Sequence, residues 1–213
     1  MSNENVLSEV LVGTSWVARH LDDPKVTIVE VNTNPEEGYT AWHIPSAILW
    51  NLHSDLEERS HRDIIGVSRF EDLMSRSGID STTTVVLYGD GNNRSATWAF
   101  WVLTIYRHRD VRIMDGGRNK WIYEVRDTST DTPTPERSVY KAEQPDLSSR
   151  VTQNYVLGKI SNPNTTLLDT RSEEEYKGKL TSAPGMPQAE ISRKGRIPGA
   201  INVDWETGFS GDG

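Results

Sequence analysis

One unit occurs twice in this chain, and the repetition limits its fold more than any other feature. The segment Val26 to Asn51 reads VTIVEVNTNPEEGYTAWHIPSAILWN; a second copy follows as TTLLDTRSEEEYKG from Thr165 and GRIPGAINVDW from Gly195. In each copy a β-type run ends in an acid, Glu30 or Asp169, and an acid-rich helix start leads to an aromatic, Tyr39 or Tyr176. Ile-Pro-small-Ala then introduces a second apolar run. The shared order of these features implies two structural copies of one unit. The second copy carries extra residues, Lys179 to Lys194, which fit a surface loop around Pro184 and Pro187.

Around the first copy, short β-branched runs alternate with helical patterns. Strands are expected at Val10 to Val12, Val26 to Val31, Ala47 to Leu49, Thr84 to Tyr88 and Val111 to Met114. Helices are expected at Trp16 to Leu21 with Thr14 or Ser15 as cap, and near Val67 to Ser77 with Ser68 as cap and Gly78 as terminator. A strongly apolar helix should follow from Ser95 to Tyr106, and another, holding Trp121, after Asp115-Gly116-Gly117. Such alternation argues for an α/β fold with a mainly parallel sheet flanked by helices. From Arg126 to Arg150 the composition turns to Thr, Ser, Pro, Asp and Glu without period, which reads as a linker. The expected organisation is a first domain over residues 6–126 that folds by itself, a linker over 127–150 and a partial second domain over 151–213.

The chain has 213 residues and a hydrophobic fraction of 35%, with seven Trp and seven Tyr, enough apolar bulk for ordinary cores. A net charge of −8 without a Lys/Arg stripe argues against a nucleic-acid partner. The first residues lack a basic-then-apolar leader and no run matches a membrane span, so a cytoplasmic protein with no membrane partner is expected. There is no cysteine, which removes disulfides, thiolate metal sites and every thiol mechanism from these residues. His20, His43, His53, His61 and His108 show no metal-ligand spacing, and neither metal nor cofactor is expected.

The repeated Ile-Pro-(Ser/Gly)-Ala, the run Leu168-Asp169-Thr170-Arg171, and Met114-Asp115-Gly116-Gly117 followed by Trp121 together resemble the two-domain rhodaneses, the thiosulfate and 3-mercaptopyruvate sulfurtransferases, over nearly the whole chain. The resemblance implies tandem rhodanese-like domains acting as a monomer on a small sulfur donor and a thiophilic acceptor. It also implies a first domain without nucleophile and a second with a cysteine in the loop between a strand and a helix. There a thiolate takes the outer sulfur of the donor as a persulfide and hands it on. Backbone N–H groups and a helix N-terminus favour that thiolate.

In the first copy the corresponding loop is Gly89, Asp90, Gly91, Asn92, Asn93 and Arg94, and Gly89 stands where the nucleophile would stand. Ser95 is no substitute, because a hydroxyl forms no sulfur–sulfur bond. Pro45 and Pro198 lie 153 positions apart, which puts the second copy's cysteine near position 242, beyond Gly213. The chain is therefore read as truncated within the second domain and inactive alone; the other reading is a non-catalytic rhodanese-like binding or regulatory module. Asp169 and Arg171 would support the catalytic loop, or form a plain structural ion pair. Glu175 sits where some relatives place a basic residue for a sulfo group, and its acidity favours an i,i+4 salt bridge to Arg171 instead. His43 and its counterpart Arg196 read as structural, and Arg94 as a solvated or capping arginine, the other reading being that it faces an interdomain cleft from the first domain's loop. The Gly89-Asp90-Gly91 spacing does not continue into a dinucleotide-binding fingerprint.

Overall fold

The computed structural model describes residues 10–34, 37–58, 63–184, 188, 190–191 and 193–208. The chain forms two units that part after Ser149. In the first, β1 (Leu11–Val12), β2 (Val26–Asn32), β3 (Ile48–Asn51), β6 (Thr84–Tyr88) and β7 (Val111–Met114) make a five-stranded sheet of order β1-β7-β6-β2-β3. Every pairing in it is parallel, with Glu30 opposite Leu49 on one side and Tyr88 on the other. Helices α1 (Thr14–Arg19), α3 (Val67–Arg76), α4 (Arg94–Ile105) and α5 (Gly117–Tyr123) supply the crossovers. A short helix α2 (Leu52–Asp55) and a two-stranded hairpin, β4 (Glu57–Glu58) with β5 (Asp63–Ile64), lie between β3 and α3.

Alternation along the strands divides the core in two. Val29, Val31, Val85 and Leu87 face α3 and α4, where Phe70, Leu73, Met74, Ala99, Val102 and Leu103 are buried. Ile28, Val86 and Tyr88 face the other way, onto Val17 and Trp121. With both faces covered, the strands read as near-continuous apolar runs, as parallel strands must. Glu30 breaks that rule, being fully buried on the second face at the carboxyl end of β2. The chain leaves β2 for β3 on one side and later returns to β6 on the other. The carboxyl ends of β2 and β6 therefore flank the crevice where open α/β sheets place their sites.

Two helix starts differ from the sequence expectation. Gly13 and Gly66, not Thr14, Ser15 or Ser68, occupy the N-cap positions of α1 and α3. Thr14 lies inside α1, and its hydroxyl donates to Glu124 at 2.5 Å, tying α1 to the end of α5.

The polar stretch after α5 is also no free linker. Ser129 pairs with His43 through both backbone groups, and the His43 ring nitrogens lie 2.9 Å from the carbonyls of Tyr39 and Asp131. Ser138 N–H donates to the Ser75 carbonyl, Tyr140 N–H to the Ser75 hydroxyl, and Asp146 N–H to the Ile105 carbonyl. Tyr140 is buried edge-on against Phe70. Composition missed this strap because it has no period and is held largely through its backbone.

The strap predicts where the first unit can be cut. A chain ending at Ser149 should melt cooperatively, whereas one ending at Pro135 loses Tyr140 and the Ser75 bonds. By analogy with large-to-small core changes the shorter chain should be less stable by about 3 kcal/mol or more. Paired urea titrations check this; equal midpoints would contradict it.

The second unit holds α6 (Gln153–Leu157), β8 (Leu168–Asp169), α7 (Glu173–Tyr176), β9 (Ile201–Asn202) and a 3₁₀ turn at Trp205–Gly208. Strands β8 and β9 pair in parallel with Asp169 opposite Asn202, the register of Glu30 and Leu49 in the first unit. Among its described residues only Glu175 and Ala200 are buried, while Leu157, Leu168 and Ile201 are exposed. None of the described helices is long and apolar enough to cross a membrane.

Candidate functional site

Strand β6 ends at Tyr88 and the chain enters the loop Gly89–Arg94 before α4. Gly91, Asn92 and Asn93 have φ of 54°, 55° and 62°, so three successive residues are left-handed. Glycine and asparagine tolerate this conformation best. The fold thereby aims the Asn93 side chain back into the loop, where Oδ1 accepts from Gly89 N–H at 3.0 Å and Nδ2 donates to the Met114 carbonyl at 2.8 Å. Arg94 N–H donates to the Gly91 carbonyl. Two amides that an anion cradle would present are thus consumed inside the loop. A Cβ on Gly89 would stand 2.6 Å from the Val31 carbonyl oxygen, and one on Gly117 equally close to the Gly89 carbonyl. There is no room for a side chain at the head of this loop.

Beneath it lies a buried ion pair. Arg118, from the first turn of α5, places Nη1 2.5 Å from Glu30 Oε2, with both side chains almost wholly buried. Its Nε pairs at 3.0 Å with the half-exposed Asp90 of the loop. Nη1 and Nη2 also donate to the carbonyls of Trp42 and Gly38, and the guanidinium lies 3.7 Å from the Trp42 ring. Asn32 Nδ2 donates to Glu30 Oε1 at 3.1 Å. The Tyr88 hydroxyl accepts from Ile44 N–H, and burial, then the Glu30 charge, drives its pKa well above the ordinary range. One guanidinium thus links β2, β6's loop, α5 and the segment before Ile44-Pro45. Sequence reading did not find Arg118, which lies 88 positions from Glu30 and carries no motif.

In the second unit Asp169 and Arg171 form a two-pronged pair, with Nε at 2.9 Å and Nη2 at 2.6 Å from the two carboxylate oxygens. The arginine holds the Asp169 carboxyl below its usual range, chiefly by hydrogen bonding. Arg171 also donates to the Gly195 carbonyl, and Asn202 Nδ2 to the carbonyls of Asp169 and Arg171. Glu175 does not form the expected salt bridge to Arg171. Its carboxylate closes a capping box with Ser172, accepting the Ser172 hydroxyl at 2.8 Å, because an acid three residues after an N-cap serine meets that cap first.

The repeat is visible atom by atom. Tyr39 donates to the Ala47 carbonyl and Tyr176 to the Ala200 carbonyl, each at 2.7 Å. His43 stacks on Tyr39, and Arg196 lies over Tyr176. Ser46 and Gly199, the small residues after the prolines, both have positive φ. A model of the rhodanese-like domain matches residues 13–124 and again 152–212. The chain belongs to the rhodanese family. It is 42% identical over 208 residues to the sulfur carrier protein TtuD of Thermus thermophilus, covering 96% of this chain and 73% of that protein. It is 38% identical over 205 residues to a Saccharopolyspora erythraea protein named "Putative thiosulfate sulfurtransferase", covering 96% and 72%. Among solved structures, SseA from Escherichia coli, described as a 3-mercaptopyruvate sulfotransferase, shares the fold with a TM-score of 0.77 at 22% identity, over 92% of this chain and 74% of SseA.

Within this rhodanese the loop Gly89–Arg94 and the pair Asp169–Arg171 lie in different units. Arg94 opens α4 at the exposed end of the loop. The described residues hold no cluster of His, Asp and Glu able to bind a metal.

Proposed function

We propose that the protein is a rhodanese-type sulfurtransferase that moves sulfane sulfur from thiosulfate or 3-mercaptopyruvate to a thiophilic acceptor, with the first unit as its non-catalytic half. The observation that carries this reading is the closed loop at Gly89. Sulfur transfer needs a thiolate to hold the sulfur between donor and acceptor, and this chain contains no cysteine. The first-unit loop has neither a thiol nor free space for one, and Asn93 occupies the amide that would face an anion.

On this reading the reacting cysteine belongs to a second strand–loop–helix unit, with its place near position 242, and the first domain takes in the strap as far as Ser149. The half-buried Asp169 and the exposed face of Arg171 brace the start of that second site. A polypeptide that continues through such a unit should form thiocyanate from thiosulfate and cyanide, and Cys→Ser at that position should abolish it. Activity that survives the substitution would refute the reading. The proposed protein acts in the cytoplasm as a monomer on small molecules.

A further inference from the structure

At the amino-terminal edge of the sheet, one strand length from the Gly89 loop and so about 15 Å away, the first unit has a cavity of about 250 Å³. Ser81 and Thr82, before β6, Arg107 to Arg109, before β7, and Tyr140 to Glu143 of the strap surround it. Its volume equals that of about eight waters, which is room for a small organic ligand.

The floor is aromatic and its polar atoms are already partnered. The Tyr106 hydroxyl donates to the Ile65 carbonyl. His108 is buried, and burial lowers its pKa, so the ring is neutral near pH 7. Its Nε2 then donates to the Thr83 carbonyl at 2.9 Å and its Nδ1 accepts the Tyr140 hydroxyl at 3.1 Å. Asp80 and Asp110 lie near His108, but Asp110 is held by Arg112 and Thr84, and Asp80 by Thr82 and Thr83.

The rim is cationic in a chain of net charge −8: Arg107, Arg109 and Lys141 against the single acid Glu143. Arg107 makes a loose pair with Asp146 at 3.4 Å, both half exposed, and Lys141 reaches Glu71 at 3.3 Å while remaining 80% exposed. Arg109 has no ion pair among the described residues. Arg107 is the left-handed residue, φ 56°, that closes α4: its N–H donates to the Thr104 carbonyl and the His108 N–H to the Leu103 carbonyl, which fixes its side chain at the mouth of the cavity. Charged forks above an aromatic floor suit a planar or small organic body carrying a doubly charged oxyanion.

We propose that this cavity binds a small phosphomonoester, its phosphate held by Arg107, Arg109 and Lys141 and its organic part resting on Tyr106 and Tyr140. The site is separate from the sulfur-transfer reading and stands or falls without it. Isothermal titration of the full chain with phenyl phosphate should show saturable one-to-one binding in the millimolar range or tighter, with inorganic phosphate weaker. The double substitution Arg107→Gly and Arg109→Ala should weaken binding at least tenfold. Glycine suits φ at 107 and residue 109 is exposed, so an unchanged melt would show that the fold is intact. Lys120→Ala removes a charge at the other end of the sheet, where it pairs with Asp115, and should leave binding unchanged. Absence of saturable binding by both probes, or equal binding by the double variant, would overturn the proposal.

Discussion

Arg118→Met should be the most damaging single substitution in the first unit, with an expected loss of about 3–5 kcal/mol in urea unfolding at pH 7. Glu30 is fully buried, and without the guanidinium its carboxylate keeps the Asn32 amide and the Tyr88 hydroxyl but loses its counter-charge. The carbonyls of Gly38 and Trp42 lose their donor as well. Single domains hold only about 5–15 kcal/mol in total, so much of the molecule should be unfolded at 37 °C. Pairing the change with Glu30→Gln removes the orphaned charge and should restore a large part of the loss. A single-variant loss below about 1 kcal/mol, or no recovery in the double variant, would show that this pair does not hold the loop's base together.

Gly89→Cys, the substitution that would seem to restore a nucleophile, should give a less stable and still inactive protein. The new Cβ would meet the Val31 carbonyl at 2.6 Å, and since that oxygen is backbone the strand ends must move apart. Overpacking of this kind costs about 1–3 kcal/mol. The introduced thiol would also sit beside Asp90 and above an amide that already serves Asn93, so little would favour its thiolate or attract thiosulfate. Urea midpoints and a thiocyanate assay check both parts. Transfer from the variant at a rate above a cysteine-free control would contradict the closed-loop account.

Much of this was readable in the residues. Strands at Thr84–Tyr88 and Val111–Met114 have the expected bounds, because a fully buried parallel strand is a short apolar run with turn residues on both sides. The repeat was legible because both copies must seat a tyrosine hydroxyl on the carbonyl after a left-handed small residue. Besides the strap and the Glu175 contact, other features were not. Glycine N-caps leave no polar signature, so the hydroxyls of Thr14 and Ser68 drew attention that the backbone did not support. The hairpin of β4 and β5 has two-residue strands, too short for any period. Arg118 is chosen by distance in space, and nothing local separates it from the chain's other arginines until Glu30 is seen beneath it.

A rhodanese chain that folds around a closed Gly89 loop and contains no cysteine should take up no sulfur. Incubating the 213-residue protein with thiosulfate, measuring its intact mass and following thiocyanate after cyanide is supplied should show no covalent sulfur and no thiocyanate above a cysteine-free control protein. A stable sulfur adduct, or catalysed thiocyanate formation, would contradict this expectation.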